Sequence, residues 1–333
     1  MAEALEDGAS WPGAVAVSGG ADSTALMVLL AEWARESGRQ PPVVLTVDHG
    51  LVRDSARTAE KVFAQAGALS LEAHVLHWRG RKPSSDIEGA ARTARYRLMG
   101  NWCNDGRLGA LYVAHSREDQ AETFLLRLAR GSGVDGLAAM ANVSPFPLAG
   151  FGNLGVVRPL LTVPRAGLRA YLAGRKIDWH EDPMNLDPRF ARARLRAMWP
   201  ALEQAGLSSD RIVTAARHLA RARNALDHNV VALLDTTSRI DREVVLLDGP
   251  ALAAAPREIG LRALSRLLMQ VSAREYRPRF ERLESLFDAV CTDSLEGGRT
   301  LHGCVVRPAP RKHQCFGATT ILITLEPHRS SRC

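Results

Sequence analysis

Residues 14–36 read AVAVSGGADSTALMVLLAEWARE, and this stretch decides the fold. The apolar run AVAV ends in a glycine pair, and from Thr24 onward apolar side chains recur at helical spacing. The order is strand, tight loop, helix. The alternation continues downstream: PVVLTVDHG (42–50) reads as a buried strand, SARTAEKVFAQAG (55–67) as a helix, LEAHVLHW (71–78) as a strand and IEGAARTARYRLMGNWCNDG (87–106) as a helix. ALYVAHS (110–116) reads as a fourth strand, and REDQAETFLLRLARG (117–131) as a helix with Gly131 as its C-cap. Strands alternating with helices predict an α/β fold built on a doubly wound parallel sheet. In such sheets ligands bind beyond the carboxyl ends of the strands, where SGGADS, DHG and AHSRED all fall.

Residues 141–157, rich in Pro, Gly and Asn, read as a mobile loop, and RPLLTVPRAGLRAYLAGRKI (158–177) as a strand followed by a helix. From Asp210 the pattern turns helical, and DRIVTAARHLARARNALDHNVVALL (210–234) has the length of a helix that bridges two domains. The remainder mixes an apolar stretch (EVVLLDG), two helices and a strand pair, a small α+β domain. The expected division is 1–208, a helical linker at 209–240, and 241–333.

Across 333 residues, 46% hydrophobic and 24% charged content is globular rather than disordered or fibrous composition. The net charge of +7 suits a polyanionic partner such as nucleic acid, although all but four of the 43 basic residues are arginine, which a compositional bias also explains. The start, MAEALEDGAS, is acidic without an apolar core, and no apolar run reaches membrane-spanning length, so the expected location is cytoplasmic, with no membrane partner. The five cysteines form no C-x-x-C pair, which argues against a zinc ribbon or a disulfide framework.

Gly19 and Gly20 remove side chains where a backbone must approach phosphate, and Ser18 and Ser23 add hydroxyl donors on either side. Asp22 would repel a polyphosphate unless Mg²⁺ or a reacting amine stood beside it. The competing reading is a plain tight turn capping a helix. The loop is not a Walker A loop, because no G-x-x-x-x-G-K-[ST] occurs, and the G-x-G-x-x-G at Gly131–Gly136 follows a helix and fails as a dinucleotide fingerprint. Asp119 and Glu122, three residues apart, share one face of a helix and could hold a cation; a solvated first turn rich in acids is the alternative.

The string S-G-G-x-D-S resembles the signature of the PP-loop ATP pyrophosphatases. Within that group the chain resembles the bacterial tRNA(Ile)-lysidine synthetases through SGGADSTAL (18–26), VDHGL (47–51), ARTARY (91–96), AHSREDQAET…RGSGVDGL (114–137), RPLL (158–161) and EDPMN…RARLR…P (181–200). The tail from 274 to 325 resembles that family's small C-terminal substrate-binding domain. Departures stand at Val52, which precedes Arg53, at Met184, and at Ala193, within motifs that bear on Asn185 and Arg194.

The resemblance implies ATP and Mg²⁺ as cofactors, and L-lysine and a tRNA(Ile) with a CAU anticodon as partners. It assigns ATP binding to Ser18, Gly19, Gly20, Ala21, Asp22 and Ser23 with His49, Arg95 and His115, and lysine binding and catalysis to Asp22, Asp119 and Glu122 with Arg194. Asp22 and Asp119 are the implied metal ligands. Which acid takes the proton of the lysine ammonium stays open, as does the oligomeric state, a homodimer included. Eight arginines between 189 and 223 form a candidate RNA-facing strip or a merely solvated helix surface. A tRNA-thiolating enzyme, an amide-forming nucleotide ligase and a nonenzymatic RNA-binding module are the rival readings.

Overall fold

The computed structural model describes residues 5, 8–51, 54–80, 82–83, 86–181, 189, 191–241, 244–274 and 276–327. Val52, Arg53, Met184 and Asn185 lie outside the described residues. Two compact units divide the chain, Met1–Ala220 and Arg221–Cys333.

In the first unit the described strands are β1 (Ala14–Ala16), β2 (Val43–Asp48), β3 (Ala73–His77), β4 (Ala110–Tyr112), β5 (Val143–Pro145) and β6 (Gly155–Val157). They form one sheet in the order β3-β2-β1-β4-β6-β5, parallel throughout except at β5. Helices connect them: α1 (Ala21–Glu36), α2 (Ser55–Ala68), α3 (Ile87–Asp105), α4 (Arg117–Leu128) and the short α5 (Val134–Leu137). Next come α6 (Arg165–Gly174) and α7 (Ala191–Gln204).

Period-two alternation along the strands explains why both faces are covered. Val15, Val44 and Tyr112 point into a core with Leu26 and Leu30 of α1, Val62 of α2, and Leu168 and Leu172 of α6. Their neighbours Ala14, Leu45 and Leu111 point into a second core with Tyr96, Met99 and Cys103 of α3.

Three expectations are corrected. Residues 141–157 are not simply a loop, since β5 and β6 pair antiparallel there with Val143 opposite Val157. The strand before the RPLL motif is Gly155–Val157, and the motif itself forms a turn. Strands of three residues are too short to reveal a period among prolines and glycines. Finally, α4 ends at Leu128 rather than at Gly131, whose φ of +71° serves the turn that follows.

Helix α8 (Ser209–Thr237) is continuous, and the boundary between the units falls within it. The second unit continues with β7 (Ser238–Asp241), β8 (Val244–Asp248), α9 (Gly249–Ala254), α10 (Arg257–Ser272), α11 (Phe280–Cys291), β9 (Arg299–Leu301), β10 (Cys304–Pro308) and β11 (Thr320–Leu325). Its sheet, ordered β7-β8-β11-β10-β9, is antiparallel. Leu247 and Ile323 pack there against Leu264 and Leu267 of α10 and Phe287 of α11. This is the α+β character expected from the mixed strand and helix pattern. No helix among the described residues is long and apolar enough to cross a membrane.

Helix α6 matters for the site because Arg165 opens it, and its hold on the sheet is the apolar pair Leu168 and Leu172. Leu172 is fully buried at 0% exposure. Leu172→Ala is expected to destabilise the first unit by about 2–5 kcal/mol through lost burial and a residual cavity. Urea unfolding followed by tryptophan fluorescence measures it.

Candidate active site

Beside β1 the sheet order reverses, with β2 on one side and β4 on the other, and the connections leave toward opposite faces. A crevice opens at such a switch point beyond the carboxyl ends of the strands. The Ser18–Ser23 loop leaves β1 there, His49 and Gly50 leave β2, and His115 and Ser116 leave β4.

The loop is tied to itself. Ser23 Oγ accepts from the Ser18 N–H at 3.1 Å, lies 3.2 Å from Ser18 Oγ and donates to the Gly20 carbonyl at 3.0 Å. Gly19 has φ +83°, and a Cβ there would lie 2.7 Å from Thr58 Cγ2, so glycine is required twice over. Its carbonyl accepts from the His180 N–H at 2.8 Å. Gly20 is the N-cap of α1, and Ala21, Asp22 and Ser23 form its first turn, so the loop presents a helix N-terminus to the crevice.

Beyond β2, Asp48 fixes the turn: its Oδ1 accepts from Ser55 Oγ and, at 3.1 Å, from the Gly50 N–H. The Ser55 bond first, then the Gly50 N–H and His77, hold its carboxyl below the usual range despite partial burial. His49 in this turn accepts the Leu51 N–H on Nδ1 at 3.1 Å. Arg95 lies half-buried on α3, next to Tyr96, over whose ring Arg92 stacks at 5.1 Å.

Helix α4 carries the acids. Asp119 Oδ2 accepts from both the N–H and the hydroxyl of Ser116, at 2.8 and 3.0 Å, closing the helix N-terminus. Asp119 is 7% and Glu122 1% exposed, so these are not solvated first-turn acids. Buried carboxylates demand cationic partners, and Arg165 supplies one to three acids at once. Its Nε donates to Asp22 Oδ2 at 3.2 Å, its Nη1 to Glu122 Oε1 at 3.1 Å and its Nη2 to Asp119 Oδ1 at 2.5 Å. The Arg165 backbone N–H donates to Glu118 at 2.9 Å, and the Arg117 N–H to the Val163 carbonyl at 3.0 Å, which joins the N-termini of α4 and α6.

Helix α7 packs on α4 through Trp199 and Phe124 in the cluster around Ala121. Four-residue spacing then brings two of its arginines onto the acids. Arg196 binds both oxygens of Glu122, at 2.7 and 3.2 Å, and Arg192 reaches Asp119 at 3.6 Å. Three carboxylates therefore meet three guanidiniums. Arg194, two residues from each, is exposed and donates to the Arg189 carbonyl at 2.9 Å. The structure thus gathers Asp22, Asp119 and Glu122, sets His115 beside Asp119, and bonds Arg194 to the Arg189 carbonyl ahead of α7. Within the arginine strip, Arg192 and Arg196 face the acids, whereas Arg211 and Arg217 are exposed.

The fields differ from residue to residue. Burial raises the Asp22 carboxyl above its ordinary value, with Asp119 adding to the rise and Arg165 opposing it. Burial would also raise Asp119, but Arg165, the Ser116 N–H, His115 and Arg192 outweigh it and hold the carboxyl low. Burial works against the charge of Arg165, yet Asp119, Glu122 and Asp22 keep it a firmly protonated guanidinium. His115 is pushed down to about 4, by burial first and then by Arg158, Arg92 and Arg192 against the pull of Asp119. Its Nδ1 is buried without a hydrogen-bond partner among the described residues.

Sequence reading missed Arg165 altogether and missed the acid-facing role of Arg192 and Arg196. A signal for Arg165 existed. It is the first residue of α6 after the N-cap Pro164, where a cation opposes the helix dipole, so its presence there calls for acids nearby.

An open parallel sheet with a self-bonded glycine loop at its switch point defines a PP-loop protein, and the family model described as PP-loop domain matches residues 3–202. A tRNA(Ile)-lysidine synthase of Methylobacterium nodulans is 40% identical, over 91% of this chain and 89% of that protein. The enzyme of the same name from Rhodopseudomonas palustris is 42% identical over 83% and 79% of the two chains. The chain belongs to the tRNA(Ile)-lysidine synthase family of PP-loop proteins. Among solved structures, the U34-tRNA thiolase NcsA of Methanococcus maripaludis shares the fold, with a TM-score of 0.51 and 16% identity over 63% of this chain and 72% of that one.

Two outcomes follow. Gly19→Ala should lower stability by about 1–2 kcal/mol from the left-handed backbone alone and raise the KM for ATP, read from a thermal melt and from ATP-dependent turnover. His115 stays neutral in the fold down to about 4 but protonates near 6.5 when unfolded. Between these values the unfolded chain binds more protons, so stability should fall as the pH drops from 6.5 to 4, by on the order of 3 kcal/mol. Urea unfolding at several pH values should show a flatter profile for His115→Gln.

Proposed function

We propose that this chain joins L-lysine to the wobble cytidine of the CAU anticodon of tRNA(Ile), consuming ATP and releasing AMP and diphosphate. The observation that carries the reading is the meeting of a phosphate-cradling loop with three carboxylates around one cation at the switch point. The family's PP-loop domain supports ATP as the nucleotide, and the relatives' names support the tRNA and the amino acid.

Ser18–Ser23 and the N-terminus of α1 bind the phosphates of ATP, with His49, Arg95 and neutral His115 lining the same crevice. The C2 carbonyl oxygen of the cytosine attacks the α-phosphorus, and diphosphate leaves. The lysine ε-amine then attacks the adjacent ring carbon, the carbon–nitrogen bond forms, the carbon–oxygen bond breaks, and AMP departs. Free lysine has a pKa of roughly 10.4 and arrives protonated; Asp119 and Glu122 seat its ammonium, and an acid of the trio takes its proton before attack. Arg194, exposed on α7 and bonded to the Arg189 carbonyl, is the further catalytic residue that the resemblance implies.

Mg²⁺ fits the donor set. Among the described residues no group of three or more His, Cys, Asp or Glu side chains is placed to hold a metal. Magnesium that retains waters and takes phosphate oxygens needs only one or two carboxylates, and Asp22 and Asp119, which share the Arg165 guanidinium, would supply them. When bound it would neutralise charge developing on the phosphates. The anticodon loop offers unpaired bases, so no duplex need be melted, and exposed Arg211 and Arg217 would contact its phosphates. Substrates of this kind place the reaction in the cytoplasm, away from any membrane. The reading holds for a monomer or a homodimer.

The test is incorporation of radiolabelled lysine into a tRNA(Ile) transcript with a CAU anticodon, with ATP and Mg²⁺ and a methionine tRNA as control. Label is expected in the isoleucine tRNA alone, and Asp22→Ala should reduce it by about 10²-fold or more. Diphosphate release without label would redirect the activity to another acceptor.

A further inference from the structure

We propose that Arg165 is the resident cation of the lysine seat: its guanidinium holds Asp22, Asp119 and Glu122 together in the absence of substrate and yields to the substrate's ε-ammonium, making Arg165 a specificity-determining residue. This rests on the function proposed above.

The geometry is that of a surrogate. Each of the three guanidinium nitrogens engages a different carboxylate, Nε at 3.2 Å, Nη1 at 3.1 Å and Nη2 at 2.5 Å. An ammonium carries three N–H donors, as many as the carboxylates that Arg165 bridges. One unit of positive charge replaces another, so the exchange leaves the local charge unchanged.

The acids do not depend on Arg165 alone. Asp119 keeps the N–H and hydroxyl of Ser116 and the nearby Arg192. Glu122 keeps the Nε and Nη2 of Arg196. Withdrawal of Arg165 therefore leaves a paired and positioned seat rather than naked buried charges. Arg165 has room to yield: it stands at a helix N-terminus, where the dipole disfavours a cation, and its side chain and that of Asp22 are partly open to solvent. A cation with fewer directed donors gains too little to displace a guanidinium held at three points. That selects for an amine delivered on a flexible arm.

Wild-type lysine incorporation is measured first, and its absence would sink the proposed function rather than the role of Arg165. Given incorporation, the lysine dependence is compared for wild type, Arg165→Ala and Arg165→Gln at saturating ATP and Mg²⁺. Removal of the competing charge should lower the KM for lysine about tenfold, the equivalent of one charge-assisted contact no longer displaced. In the variants millimolar guanidinium chloride should become a competitive inhibitor against lysine. A higher KM with activity restored by guanidinium would make Arg165 a fixed structural pin and overturn the proposal. So would an unchanged lysine KM, with or without a shifted Mg²⁺ requirement.

Where the variants fail to fold, the wild-type chain decides. With ¹⁵N-labelled arginine, lysine should move or broaden a slowly exchanging Nε–H resonance that is missing from Arg165→Lys or, failing that variant, is identified by its proximity to Asp22. A spectrum indifferent to lysine would overturn the exchange.

Discussion

The burial of Glu122 is the constraint around which the first unit is arranged. A carboxylate with 1% exposure is tolerable only if cations reach it inside the protein. Two elements far apart in sequence meet that demand, α6 through Arg165 and α7 through Arg196. Their positions in turn fix where the acids of α4 stand relative to the glycine loop of β1. The catalytic crevice and the packing of three helices are thus one electrostatic problem with one solution.

This explains which parts were legible in advance. The β1–loop–α1 unit could be read because every level agreed: an apolar run, two glycines, then a helical period, with no long-range partner needed to form the turn. The acids of α4 could be picked out by spacing, but their burial could not, since it depends on α6 and α7. Arg165 lies within the stretch 158–177 but beyond the RPLL motif, and its meaning appears only when Asp22, Asp119 and Glu122 converge from two helices. Arg192, Arg194 and Arg196 look alike in sequence. Helical periodicity sends the first and third toward α4 and leaves the second exposed, a distinction that requires knowing which face of α7 is packed. The β5–β6 pair was hidden for another reason, because three-residue strands carry no period.

A similar separation governs the electrostatics around the trio. Asp22 and Asp119 share one guanidinium, yet their carboxyls are displaced in opposite directions. Asp119 sits among directed donors that favour its charge, and Asp22 has burial and a neighbouring acid against it. One cluster therefore offers both a firm anion and a more basic one, which suits chemistry that must first hold an ammonium and then relieve it of a proton.

Helix α8 sets a limit on how the protein can be divided. Its 29 residues extend about 43 Å at 1.5 Å per residue. Ile212, Val213 and Ala216 are buried near one end and Val230 and Leu234 near the other, with no buried residue between Ala216 and Val230. The helix is thus anchored in two separate cores, and between Ala216 and Val230 partly buried Leu226 and the ion pair of Asp227 with Arg262 add to its backbone hydrogen bonds. Any evolutionary exchange of the second unit for another has to join helix to helix in register. A slip of one residue would rotate the incoming apolar stripe by about 100°, so the seam tolerates changes in composition far better than changes in length.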